Sequence, residues 1–326
     1  MPVDPVLASY GDLAYGTALV LYLLAMALHA VEYAAGRVSP VAARAAAGDG
    51  AVATLAPPAD PSRLDGSRLD ERLPRARSER IGRSAVALTV LAALVHGCSL
   101  VLRGSAAGRV PWGNMYEFTS AICLVAAAAW LIVLFRQRET APALRRLGVF
   151  VLLPVVVLMF LGGTVLYADA APLVPALNSY WIAIHVSAAA GATGILLVSG
   201  VASLLYLVKE RTGAGSRIGE PLPSSAMLDR VAYRTAVVAF PIWTFGVITG
   251  AIWAEAAWGR YWGWDPKETV ALVAWVVYAG YLHARATAGW RGSRAAWINV
   301  VGLAVMLFNL FFVNIVIAGF HSYAGI

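Results

Sequence analysis

Five histidines, His29, His96, His185, His283 and His321, all fall in or at the ends of long apolar runs. An ionisable side chain in such a run is costly, and it is either paired or functional. A neutral imidazole donates a lone pair to a metal, and two imidazoles can clamp the iron of a planar macrocycle from opposite faces. The second chemical signal is WAEAAWGRYWGWDPKE, residues 253–268, which sets Trp253, Trp258, Trp262 and Trp264 between two apolar runs. Indoles at this density need a large flat partner or a membrane interface. Trp258 and Trp262 are four residues apart, so a helical turn would put them on one face.

The elements that must position these groups follow from composition. The chain has 326 residues, 60% hydrophobic and only 13% charged, beyond the apolar share of a soluble domain. Several runs reach the roughly 20 residues that cross a bilayer as a helix. The expected fold class is therefore an all-α polytopic membrane protein. It is read as a single bundle of eight transmembrane helices near 12–36, 82–103, 114–135, 147–167, 179–208, 234–256, 268–285 and 295–319. Helices are required because backbone groups in lipid must pair within the segment, and no alternating barrel strands are present. One set of loops holds nine basic residues over 37–83, four over 136–146, five over 209–234 and three over 285–294, which is 21 of the 25 Lys and Arg. The positive-inside rule then puts both termini and the Trp-rich loop, between spans 6 and 7, outside. The net charge of +7 sits in cytoplasmic loops facing anionic lipid and calls for no nucleic acid. Residues 1–36 read as an N-terminal transmembrane helix without a cleavable signal, 37–82 as a disordered cytoplasmic loop, and 83–326 as the main transmembrane domain. Cys98 and Cys123 are isolated within spans and form no CxxC, so they read as packing residues.

Depth separates the histidines. His185 lies about two turns into the fifth span and His321 at the outer end of the last, both beside the Trp-rich loop. His283, in YLHAR, lies at the inner end of the seventh span, roughly 25 Å away. His29 pairs with Glu32 three residues on, and His96 reads as structural. In Asp265-Pro266-Lys267-Glu268, Asp can cap the next helix and Glu can reach back to it as a capping box. Asn114 to Glu117 repeats that spacing. These four residues can therefore serve simply as helix caps that hold the loops still. Residues 168–178 are too apolar for a solvated loop, so they press on the membrane or cover a site. Arg260 and Lys267 are the basic residues nearest the tryptophans and could meet acidic groups of a macrocycle.

PWGNMYEF, LNSYWIAIHV, WGRYWGWDPKET, YLHAR and GFHSY, in that order from about Pro111 to the C-terminus, resemble the CcsA (ResC) proteins of system II cytochrome c biogenesis. That family belongs to the haem-handling superfamily named for its Trp-rich WWD loop. The resemblance implies haem b as a substrate in transit. It implies His185 and His321 as outer axial ligands, His283 as an inner, transmembrane ligand, and Trp253, Trp258, Trp262, Trp264 and Asp265 as the outer haem-binding loop. It also implies a CcsB (ResB) membrane partner, an apocytochrome c acceptor bearing CxxCH, and an outside thioredoxin-like thiol reductant. The location implied is the bacterial cytoplasmic membrane, and the synthase would act only as a complex with its partner; no catalytic acid or base is assigned. Val270 stands where the family often has another Trp, and the first span and 37–82 carry none of these motifs.

Two rivals share these features. A haem exporter without a synthase role uses the same sites. A b-type cytochrome subunit for electron transfer would also place histidines on two sides of a bundle, but it gives the Trp loop no task.

Overall fold

The computed structural model describes residues 3–35, 66–173, 175–212, 216, 218–287, 290–317 and 319–321. The helices are α1 (Pro5–Ala35), α2 (Gly66–Ala107), α3 (Met115–Arg136), α4 (Ala141–Arg145), α5 (Gly148–Thr164), α6 (Tyr180–Thr212), α7 (Ser225–Trp258), α8 (Pro266–Ala286), α9 (Ser293–Leu310) and α10 (Phe312–Ile315). Six described helices, α1, α2 from Arg77, α3, α6, α7 and α9 with α10, are long and apolar enough to cross a membrane. α5 makes a seventh if it counts as one span with the bent segment before it, which turns by 61°. The remaining expected span, the seventh, corresponds to α8, 21 residues that include Lys267, Glu268, His283 and Arg285. Residues 37–65 of the expected cytoplasmic loop lie outside the described residues, and from Gly66 the backbone is already helical, as the start of α2.

Local sequence explains the elements. Along α1 the buried residues Tyr15, Ala18, Tyr22, Ala25, His29 and Glu32 recur in steps of three and four, which line one helix face. The alanines let α2 pack close along that face, as small residues do in lipid. The opposite face presents Leu13, Val20, Leu24 and Val31 outward. An apolar surface of that kind suits lipid, not water. α3 joins the α1–α2 pair and α5 to α6, while α6 pairs with α7 and α9 with α8. Asn299 on α9 donates to the Ser199 and Ser203 hydroxyls on α6 at 2.8 Å each, a polar tie inside an otherwise apolar interface.

Helix ends shape the site. α7 stops at Trp258 because Gly259 takes a left-handed conformation with φ 70°, the usual helix-ending role of glycine. Trp258 and Trp262 are therefore not neighbours on one helical turn, as their spacing suggested. α8 starts with the expected capping box at Asp265 and Glu268. The last span is not continuous: it breaks after Leu310, and α10 is only four residues. Asn314 explains part of the break, since its amide donates to the carbonyls of Asn309 and Leu310. A side chain that satisfies those oxygens competes with continued helix.

Candidate functional site

A single cleft gathers most of the expected site residues at one end of the bundle. Trp112 to Met115, Leu177, Ile182, His185, Trp243, Gly246, Gly250, Trp253, Trp258, Trp262, Lys267, Glu268, Asn309, Asn314 and His321 are on its walls. Its empty space, open mouth included, is about 1250 Å³.

His185 enters from the second turn of α6. Its Nδ1 is 2.7 Å from the Gly246 carbonyl on α7. The carbonyl only accepts, so Nδ1 carries the proton and Nε2 is left as the lone-pair donor. α7 can come this near because position 250 is glycine: a Cβ there would fall 2.6 Å from the imidazole. The ring of Trp253 lies nearly parallel to that of His185, 6° apart in plane.

His321 enters from the turn after α10. Its Nδ1 is 2.9 Å from Asp265 Oδ1, and its ring meets Trp258 edge to face at 5.1 Å. Burial holds the His321 imidazole below its ordinary pKa, with the Asp265 contact working the other way. Burial alone would raise the Asp265 carboxyl. The bonds from His321 and from the Lys267 and Phe320 N–H groups outweigh it and hold Asp265 below its ordinary value. The consistent state is a neutral imidazole donating Nδ1–H to an ionised carboxylate. Both histidines thus have one ring nitrogen occupied by a fixed acceptor, the arrangement that orients metal-ligating imidazoles. With flat indoles around them, these residues fit a planar iron macrocycle.

The other expected residues divide. Trp253 is 1% exposed and is packed with Leu177 and Ile182. Trp262 is on the cleft wall, whereas Trp264 lies outside it, 70% exposed and held at φ 57°. Lys267 enters the cleft, where Nζ donates to Asn314 and faces the Phe118 ring at 5.8 Å. Arg260 instead lays its guanidinium on Phe320 at 4.4 Å. His283 sits elsewhere, exposed on α8 beside Gly280, Trp297 and Val301. Ala271 in the cleft and Gly280 beside His283 are two and a half turns apart, on opposite faces of α8. His29 and Glu32 approach to 3.8 Å, and Arg145 donates to Glu32 at 2.9 Å. His96 pairs with Ser120 at 2.8 Å. Neither of these histidines reaches the cleft.

Sequence reading assigned no individual role to Trp112, Leu177, Trp243, Gly250, Asn309 and Asn314. Trp112 and Leu177 lay within quoted motifs, and Leu177 also within 168–178, the segment expected to press on the membrane or cover a site; the others are ordinary residues whose role appears only when distant helices meet.

The family model for cytochrome c assembly proteins matches residues 112–321. The chain belongs to that family. Within it, the chain is similar to a cytochrome c biogenesis protein CcsA of Parasynechococcus marenigrum (strain WH8102), 37% identical over 274 residues, which cover 72% of this chain and 85% of that one. It is also similar to a protein of the same name in Chlamydomonas reinhardtii, 36% identical over 230 residues, 69% of this chain and 64% of that one. Membership of the CcsA group follows. Among solved structures, the cytochrome c haem lyase CcmF superposes with a TM-score of 0.63 at 17% identity, covering 95% of this chain and 47% of that chain. At that identity the likeness concerns the fold, and this chain spans about half the length of that protein. α1 and α2 precede the segment that the family model matches.

Proposed function

We propose that this chain serves cytochrome c biogenesis by holding haem b, as substrate, in the outer cleft between His185 and His321. The observation that carries the reading is the fixed acceptor behind each imidazole, Gly246 O for His185 and Asp265 for His321. Membership of the CcsA group supports the pathway. Trp253, Trp258 and Trp262 supply flat walls, and Asp265 acts through His321. Lys267, the cation on the cleft wall, would take a propionate, with Arg260 at the rim.

The bound haem brings two vinyl groups, across which the two thiols of a CxxCH acceptor add. Each addition consumes the thiol proton and leaves none over, so no residue here needs to act as net acid or base. The chain's contribution is orientation and water exclusion, which can supply a large share of such a barrier. His283 is the proposed inner ligand. Its exposure on the face of α8 away from the cleft suits a second ligand from a CcsB (ResB)-like membrane partner. The proposed setting is eight spans in a bacterial cytoplasmic membrane, termini and Trp loop outside. The basic loops support this orientation.

Co-expression with the partner and a CxxCH acceptor, followed by gel staining for covalent haem, tests the synthase role. Stained acceptor that disappears in His185→Ala and His321→Ala supports it. Stained acceptor at wild-type level in both variants contradicts it.

A further inference from the structure

Glu117 is fully buried at the start of α3, and its two oxygens accept four donors. Arg103 Nε donates at 2.9 Å, Arg109 Nη1 and Nη2 at 2.7 and 3.2 Å, and the Gly113 N–H at 2.7 Å. A carboxylate bridging two guanidiniums away from water makes a stiff joint, because losing one partner strands the others. What this joint holds is the wall of the cleft.

Two segments leave it. The first is 109–114, pinned through the Gly113 N–H. It carries Trp112, whose Nε1 donates to Ser187 Oγ at 3.0 Å, two residues past His185 on α6. The second is 165–178, between α5 and α6, which contains the segment 168–178 expected to press on the membrane or cover a site. Arg103 donates to the Ala168 carbonyl and Arg109 Nε to the Ala171 carbonyl at 2.9 Å. Beyond those anchors Leu177 reaches the cleft and packs with Trp253. Asp12 on α1 accepts from Arg103 at 3.2 Å, so the first two helices join in. Trp112 and Leu177 thus reach the cleft from different parts of the chain, and one carboxylate fixes both.

We infer that Glu117, with Arg103 and Arg109, is a positioning group for the outer cleft: it sets the Trp112 wall and the 165–178 cover against His185 and Trp253. The inference deepens the haem reading above and rests on it for function, but its structural half does not. It also gives α1 and α2, which precede the matched segment, a task at the site. Neither arginine touches the cleft, so they act through Trp112 and Leu177.

The test compares Glu117→Gln and Arg109→Lys with Glu32→Gln in the purified full chain. Glu32 belongs to another buried ion pair, with Arg145, remote from the cleft, and it controls for a general loss of stability. Hydrogen exchange of the haem-free chain reads the joint itself. Faster exchange in both 109–114 and 165–178 is expected for the two test variants and not for Glu32→Gln. Release of haem to a scavenger protein reads the function. Release about tenfold faster is expected for the test variants, in line with other residues that orient a ligand from behind, with the low-spin absorption of the loaded form kept. Unchanged exchange in either segment overturns the inference, as does equal loosening by Glu32→Gln. Loosened segments with unchanged release overturn the functional half. A wild-type chain that takes up no haem refutes the haem reading, while exchange still decides whether the joint exists.

Discussion

Asp265 does two jobs with one carboxylate. Oδ1 accepts from the Lys267 N–H at 3.0 Å as a helix cap and meets His321 Nδ1 at 2.9 Å, while Oδ2 accepts from the Phe320 N–H at 2.6 Å. Asn caps a helix about as well as Asp. Its NH2 group, however, would face the N–H of either Phe320 or His321, and the charge on the imidazole's partner would be gone. Asp265→Asn is therefore expected to keep the thermal midpoint near wild type while weakening haem binding about 10–100-fold, measured by titration. Loss of both together would make Asp265 a cap and nothing more. At this scale the sequence was informative about histidines and tryptophans, whose types are costly in lipid. It was silent on Trp243, because nothing in its local spacing marks it as a cleft residue, and it reached Leu177 only as part of the apolar segment 168–178.

Among the elements, the approach of α7 to α6 decides whether His185 is available. A methyl at position 250 would lie 2.6 Å from the His185 ring, too near for the ring to stay bonded to Gly246 O. Gly250→Ala is expected to abolish or shift the outer low-spin haem absorption with helix content unchanged by circular dichroism; an unaltered spectrum would mean that the glycine is only a packing convenience. The capping box offers a separate test. Glu268 Oε2 accepts from the Gly263 and Asp265 N–H groups at 2.8 and 3.2 Å. Glu268→Ala should cost on the order of 1 kcal/mol, the scale of a lost cap, seen as a lower thermal midpoint. Hydropathy and cap spacing made most helices legible. They did not reveal that α7 ends at Trp258 or that the last span breaks at Leu310. Both ends depend on a backbone conformation at Gly259 and an amide at Asn314 that an apolar pattern does not record.

For the whole molecule, the proposal separates an inner haem site at His283 from the outer cleft, which α8 reaches at Ala271, by about three turns of α8, roughly 18 Å. His283→Ala is expected to lower loading from inside while the outer cleft still binds haem supplied from outside, measured by absorption after each route of supply. Orientation is tested by Tyr261→Cys, which should react with a membrane-impermeant maleimide in intact cells, and Trp290→Cys, which should react only after permeabilisation. The Cys98 background is read in parallel with the unsubstituted chain, and the reverse labelling pattern would invert the topology. The central claim concerns His185 and His321, and the most direct measurement is the absorption spectrum of the purified chain loaded with haem, wild type against His185→Ala/His321→Ala. Loss of the bis-histidine low-spin bands of the outer site in the double variant is the predicted result; the same bands at full strength in that variant would contradict the account.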